Sequence, residues 1–273
     1  MQEGGKNMEP RNMLIGLSIK YKGDWNAIYK AISSIETDGL EEYAKVFERS
    51  GYKALTLMDK EYPEYLKKIY QPPIVLFYEG DLSLLDHIDN NLAVVGTHSP
   101  TKYAVEMTHK LVGELSNSYN IVTSIRPGVD SIACDAALAN EHGSVIAVVA
   151  GGLGCKTKYK NWDELKKNHL VLTEYFGTYK PEVHIGCMSK DRIIAGLCKG
   201  LLVIEDVNAG RSAVTANCAL ANGREVLAVP GRAGEDSLSN SLIRTGAVLV
   251  ETAEDVKDEL QAFVISSAPE EVK

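Results

Sequence analysis

The sequence lacks the marks of secreted, zinc-binding and membrane-spanning proteins. Its five cysteines form no Cys-x-x-Cys pair and no Cys/His spacing typical of zinc sites; they are Cys134, Cys155, Cys187, Cys198 and Cys218. No apolar run approaches about 18 residues, the length of a membrane span, and the first residues do not form a secretory leader. We therefore expect a cytoplasmic chain with reduced thiols and with no metal, cofactor or membrane segment.

Basic residues are also outnumbered by acidic ones. The 273 residues include 37 Asp and Glu against 29 Lys and Arg, for a net charge of −8. This balance argues against a protein coated in positive charge for duplex DNA. It is compatible with a local basic pocket, because charges act over a Debye length of about 8–10 Å.

A dinucleotide-binding fingerprint is missing as well. The turn Gly96-Thr97-His98-Ser99 lacks Gly-x-Gly-x-x-Gly spacing, and Gly151-Gly152-Leu153-Gly154 does not lead directly into a helix. The sequence therefore gives no support for NAD or FAD binding.

The apolar pattern predicts an α/β protein. Residues 12–50 show helical periodicity, and residues 53–80 indicate a strand, a short helix and another strand. From residue 91 onward, seven short β-branched runs alternate with amphipathic helices. This alternation predicts a parallel-dominated sheet with helices on both faces, preceded by a small helical N-terminal domain. We place the domains at 1–55 and 56–263, with a C-terminal tail at 264–273.

Two turns at predicted strand ends suit a phosphate group. Gly96-Thr97-His98 follows one apolar strand, and Gly210-Arg211-Ser212 precedes a predicted helix. Backbone N–H groups at such a junction point outward with the helix dipole behind them. The alternative for the first turn is an ordinary loop with a helix cap.

Several cations lie near the same predicted edge. Lys190 and Arg192 flank Asp191 at a predicted helix start, and Arg126 follows another strand. They suit phosphate binding, although Asp191 also allows an internal ion pair and Arg126 a plain surface position. A lysine-rich stretch with Tyr159 and Trp162 suits either a single strand or a solvated loop; its lysines are Lys156, Lys158, Lys160, Lys166 and Lys167.

No arrangement of a nucleophile, a base and an orienting group stands out. His98 and Cys134 could be imagined as a base and a thiol nucleophile, but single His and Cys residues near α/β turns are usually packing residues. We therefore expect no catalytic residues and no enzymatic activity.

The order of motifs resembles the DNA-processing protein A family (DprA, also called Smf) over about residues 52 to 251. The likeness rests on motifs that occur in the family's order: Tyr62-Pro63, Val94-Val95-Gly96, Gly128-Val129-Asp130, Arg192-Ile193-Ile194-Ala195-Gly196-Leu197, Glu205, Ser212-Ala213-Val214-Thr215-Ala216, Gly223-Arg224, Val229-Pro230-Gly231 and Gly246-Ala247. The resemblance implies an extended Rossmann-like domain preceded by a reduced helical domain.

The resemblance also implies a function. Members bind single-stranded DNA, usually as homodimers, and load RecA onto it during uptake of transforming DNA. It places the binding pocket at four turns, with Gly96, Thr97, His98, Arg126, Lys190, Arg192, Gly210, Arg211, Ser212 and Thr215 as candidate phosphate-binding residues.

This chain departs from the family pattern at polar positions. The family's Gly-Ser-Arg is Gly96-Thr97-His98, its Arg-Asn-Arg is Lys190-Asp191-Arg192, and its Ser-Gly-Ser is Gly210-Arg211-Ser212. These changes lower the predicted pocket charge by about two units, of which Arg126 and Arg211 restore a part. Two alternatives stay open: a nucleotide-binding or nucleotide-processing protein on the same scaffold, and a dimerising platform without a ligand.

Overall fold

A computed structural model describes residues 8–263. The helices are α1 Pro10–Lys20, α2 Trp25–Ser33, α3 Leu40–Ser50, α4 Glu64–Lys67, α5 Lys102–Leu115, α6 Val129–Leu138, α7 Trp162–Asn168, α8 Val183–Leu197, α9 Ser212–Ala221, α10 Leu238–Arg244 and α11 Ala253–Ala262. The strands are β1 Lys53–Thr56, β2 Val75–Gly80, β3 Asn91–Gly96, β4 Asn120–Thr123, β5 Val145–Val148, β6 Leu170–Thr173, β7 Gly200–Ile204, β8 Glu225–Val229 and β9 Val248–Leu249. The tail predicted at 264–273 lies outside the described residues.

The strands form one sheet of nine strands in the order β1-β2-β6-β5-β4-β3-β7-β8-β9. In this spatial order, the seven strands β6-β5-β4-β3-β7-β8-β9 are mutually parallel, and β2 is antiparallel to both β1 and β6. The predicted α/β class with a parallel-dominated sheet is therefore confirmed. The predicted strand, short helix and strand over residues 53–80 are also present, as β1, α4 and β2.

Helices cover both faces of the sheet. One core cluster joins the sheet to α1–α3, α5, α6, α7 and α11, and the other joins it to α4, α8, α9 and α10. The N-terminal helices share the first cluster with the sheet, because Leu14, Ile28 and Leu40 pack into it. The helical unit thus stabilises itself by burying apolar surface on the sheet.

Helix α8 begins earlier than the sequence predicts. The sequence predicts a helix start close to Lys190, whereas the helix begins at Val183. Val183 and Ile185 are exposed, so the first turn lacks the buried periodicity by which helices are recognised. Gly186 packs this turn closely, since a Cβ there would lie 2.4 Å from the carbonyl oxygen of Ala150.

Strand order reverses between β3 and β7. The chain runs outward through β4, β5 and β6, returns along α8, and continues through β7, β8 and β9 on the other side. In open α/β sheets, ligands bind in the crevice at the carboxyl ends of the strands at this reversal. A ligand is therefore expected at the loops after β3 and β7.

Asn91, at the start of β3, ties three elements together and gives a stability prediction. Its buried side chain donates to the Leu197 carbonyl at 3.0 Å and accepts from Asn120 Nδ2 at 2.9 Å. Asn91→Ala leaves the buried Leu197 carbonyl and the half-buried Asn120 amide without these partners and is expected to lower the free energy of unfolding by about 2 kcal/mol. Urea denaturation measures this. The exposed control Asn168→Ala is expected to change it by less than about 0.5 kcal/mol, and equal losses would contradict the role of Asn91.

Candidate nucleic-acid interface

The loops after β3 and β4 lie against each other. The Val129 N–H donates to the Thr97 carbonyl at 3.0 Å, and Arg126 Nη2 donates to the Gly96 carbonyl at 3.1 Å. Gly128 makes this approach possible, because it has φ of 108° and its Cβ would lie 2.3 Å from the Thr97 oxygen. The fold therefore brings Gly96, Thr97, His98 and Arg126 into one cluster.

A buried carboxylate organises this cluster. Asp130 accepts hydrogen bonds from the Gly96 N–H at 3.3 Å and from Ser124 Oγ at 2.6 Å. Arg126 Nε lies 3.7 Å from the same carboxylate, and the Arg126 side chain keeps 22% of its exposure. His98 is exposed. The charge of Arg126 is thus partly compensated, while its guanidinium still reaches the surface.

The loop after β7 contains two further carboxylates that bind backbone amides. Glu205 accepts from the N–H and the hydroxyl of Thr101, on the loop after β3. Asp206 accepts from the N–H groups of Val207 at 2.9 Å and Ser212 at 3.0 Å. The amide cradle predicted from the sequence at Gly210-Arg211-Ser212 already holds an internal carboxylate.

The predicted residues at the start of α9 and just before it differ in accessibility. Ser212 and Thr215 are buried, whereas Gly210 and Arg211 are half-buried. Beside them, between the ends of β3, β7 and β8, lies a cavity of about 330 Å³. Its charged lining residues are Lys102, Arg232, Glu205, Asp206, Glu235 and Asp236. This part of the edge is acidic.

Lys190 and Arg192 belong to ion pairs inside the protein. Lys190 is 5% exposed and its Nζ bonds to Asp191. Arg192 Nη2 donates to the buried Glu174 at 2.6 Å, and its Nη1 donates to the Gln71 carbonyl. Arg192 is thus turned toward the segments that flank β2 and β6, away from the crevice between β3 and β7.

The loop after β5 carries exposed positive charge. Lys156 and Lys158 are exposed and form no salt bridge within residues 8–263. Lys160 lies 3.4 Å from Asp135, which also accepts from the Tyr159 hydroxyl at 2.7 Å. Burial raises the pKa of Tyr159, and the neighbouring Cys134 and Asp135 raise it further, so its hydroxyl stays protonated at neutral pH. This basic loop, residues 155–160, borders a cavity of about 340 Å³ next to Ile125 and Pro127.

The carboxyl edge of the sheet is therefore divided by charge. Above β5, β4 and β3 it presents the basic loop, Arg126 and His98, and above β7 and β8 it presents mainly carboxylates. A polyanion therefore meets mainly favourable charge on the first half and mainly unfavourable charge on the second.

Neither a cluster of metal-binding side chains nor a membrane-spanning helix is found in the described part of the chain. His, Cys, Asp and Glu side chains within residues 8–263 form no group of three or more that could hold a metal ion. No helix in that range is both long and apolar enough to cross a bilayer.

Comparison with known proteins identifies the family. The family described as DNA recombination-mediator protein A matches residues 53–261. The chain belongs to this family. It is 34% identical over 220 residues to DNA processing protein DprA of Bacillus subtilis, and this match covers 78% of this chain and 73% of that protein. It is 36% identical over 216 residues to DprA of Streptococcus pneumoniae, with coverages of 77% and 75%.

Solved structures of family members share the fold. The X-ray structure of DprA from Streptococcus pneumoniae superposes with a TM-score of 0.72 at 29% identity, covering 91% of this chain and 93% of that one. DNA processing protein A from Helicobacter pylori superposes with a TM-score of 0.67 at 25% identity, with coverages of 77% and 97%. The work on the latter describes its single-stranded DNA binding mode. The resemblance inferred from the motifs is confirmed.

The thiols provide a test of the proposed absence of thiol chemistry. Burial raises the pKa of Cys134 to about 12, so its thiol is protonated at neutral pH, and burial also raises the pKa of Cys198 to about 12. Cys155 is half-buried at the start of the basic loop. With Ellman's reagent at about pH 8, we expect Cys155→Ser to remove the fastest phase and Cys134→Ser to leave it unchanged. A fast phase lost with Cys134 would contradict this assignment.

Asp206 gives a second prediction. Asp206→Ala leaves the Val207 and Ser212 amides without their acceptor and is expected to lower the free energy of unfolding by about 2 kcal/mol. The freed amides then become an anion site, so sulfate is expected to raise the melting temperature of the variant more than that of the parent. Thermal unfolding in sulfate and in sodium chloride of equal ionic strength measures the difference. Asp236→Ala, which removes an exposed acceptor for Asn208, is the control, and an equal response to sulfate would contradict the prediction.

Proposed function

We propose that this protein binds single-stranded DNA and, once bound, loads a RecA-type recombinase onto that strand. Membership of the recombination-mediator family supports the proposal, as does the single-stranded DNA binding of the Helicobacter pylori relative. We further propose that it acts as a homodimer without enzymatic activity, as the family resemblance implies.

The unpaired positive charge above β5, β4 and β3 is the observation that carries the proposal. Lys156 and Lys158 are exposed without acidic partners in the described chain, and Arg126 and His98 continue the same surface. Binding of a single strand relies on a positively charged groove together with aromatic rings. Tyr159 and Trp162 supply half-buried rings beside these lysines.

The candidate residues receive different roles in this proposal. Thr97, His98, Arg126 and Arg211 contact backbone phosphates directly. Gly96, Lys190, Arg192, Gly210, Ser212 and Thr215 act as positioning residues, because tight packing, burial or internal hydrogen bonds engage them. Arg211 stands at the boundary with the acidic half and marks the end of the binding surface.

A nucleotide as the physiological ligand is less well supported. The cradle at the start of α9 that would hold its phosphate contains the Asp206 carboxylate. The neighbouring cavity is lined by four acidic residues. Both would repel a nucleoside phosphate, which carries more charge per unit size than an extended strand.

Salt-dependent binding tests the proposed surface. Lys156→Gln with Lys158→Gln removes two phosphate contacts and is expected to reduce the slope of log affinity against log salt by about 1.4. Fluorescence anisotropy with a labelled oligo-dT of about 12 residues measures this slope.

The matched control changes two exposed lysines on helices outside the basic loop and its lysine-rich stretch. Lys30→Gln with Lys110→Gln removes the same charge and is expected to leave the slope unchanged. Binding that does not depend on salt, or an equal loss in both double variants, would contradict the proposal. Recombinase filament growth on strands precoated with single-strand-binding protein tests the loading function separately.

A further inference from the structure

An open groove lies between the N-terminal helices and the segment that follows β6. It has a volume of about 890 Å³ and lies between the ends of α1 and α3 on one side and residues 176–180 on the other. Its charged lining residues are Lys22, Arg49 and Lys180, and its aromatic lining residues are Tyr52, Phe176 and Tyr179. The surface is thus made from parts of the chain that are far apart in sequence.

All the charge in this groove has one sign. No acidic side chain is among its lining residues within 8–263. Lys22, Arg49 and Lys180 are exposed, and none forms a salt bridge in the described part of the chain. In a chain whose acids outnumber its cations by 37 to 29, three uncompensated cations around one groove are a local excess that favours an anionic ligand.

The aromatic rings of the groove are held in place by their neighbours. The Tyr52 ring meets the edge of Phe176 with centroids 5.7 Å apart, and Phe176 packs on the buried Phe77 at 5.3 Å. Lys22 Nζ lies 5.5 Å from the centre of the Tyr179 ring. Fixed aromatic faces beside cations suit an unpaired nucleotide, whose base stacks while its phosphate pairs.

The groove adjoins the basic loop. The N–H groups of Gly152 and Gly154 donate to the carbonyls of Tyr179 and Gly177, both at 2.8 Å. Cys155 Sγ lies 3.4 Å from the Thr178 carbonyl oxygen. The segment that lines the groove and the loop that carries Lys156 and Lys158 are therefore joined by hydrogen bonds.

We infer that the groove is a second contact region for single-stranded DNA, which continues the path from the carboxyl edge of the sheet toward the N-terminal helices. Phosphates pair with Lys22, Arg49 and Lys180, and bases stack on Tyr52 and Tyr179. A nucleic acid suits the site better than an acidic peptide, because the rings give a base a partner and the surface continues into the basic loop. The inference rests on the proposed function and extends it.

The dependence of affinity on oligonucleotide length tests this inference. An oligo-dT of about 6 residues covers the carboxyl edge of the sheet alone, and one of about 25 residues reaches both that edge and the groove. Arg49→Gln with Lys180→Gln is expected to weaken binding of the long strand about tenfold, as loss of a charged contact does. It is expected to leave binding of the short strand unchanged and to reduce the salt slope of the long strand by about 1.4.

The matched control is Arg244→Gln with Lys110→Gln, which removes the same two charge types from exposed helix positions outside the groove. Crosslinking of a bromouridine-substituted long strand to the unmodified protein, followed by peptide mapping, is expected to identify Tyr52 or Tyr179. If the short strand binds, the long strand binds no more tightly, and neither tyrosine is crosslinked, the groove inference alone is overturned. Absence of binding at both lengths would overturn the proposed function itself. Two results together would assign the groove to an acidic peptide instead. Polyglutamate at equal charge concentration would displace the long strand, and Tyr52→Leu would leave the affinity for the long strand unchanged.

Discussion

The carboxyl edge of this sheet depends on the pairing of backbone amides with internal carboxylates. Each parallel strand ends by turning away from its neighbours, which leaves N–H groups that require acceptors. Asp130 pairs with the amide of Gly96, Asp206 with those of Val207 and Ser212, and Glu205 with that of Thr101. These contacts fix the loops on both sides of the point where strand order reverses, and they set the local charge.

This pairing determines where an anion can bind. An amide that is bonded to a carboxylate is no longer available to a phosphate, and the carboxylate adds repulsion. Anion binding therefore depends on side-chain cations that lack partners. Those cations are Lys156 and Lys158 in the basic loop, and Lys22, Arg49 and Lys180 in the groove beside α1 and α3. Arg126, whose charge Asp130 compensates in part, lies next to the basic loop.

The sequence predicts the fold much better than the site. Short apolar runs and helical periodicity report burial within one segment, so the strands and nearly all helices follow from local patterns. The orientation of a polar side chain depends on residues distant in sequence. Arg192 is paired with Glu174, 18 residues away, and with the carbonyl of Gln71, 121 residues away. Similarly, nothing local indicates that Asp206 turns inward under its own loop or that Arg49 and Lys180 face the same groove.

The hydrogen bonds between residues 152–154 and 177–179 have a mechanical consequence. They join the loop after β5 to the loop after β6. The ring of Phe176, in the second loop, packs on the rings of Phe47 and Phe77. The helical unit and the sheet are therefore linked at this junction by packed rings and hydrogen bonds. A flexible ligand that binds across the junction loses its own conformational freedom, whereas the rings that it contacts are already packed, so most of the entropic cost of association falls on the ligand.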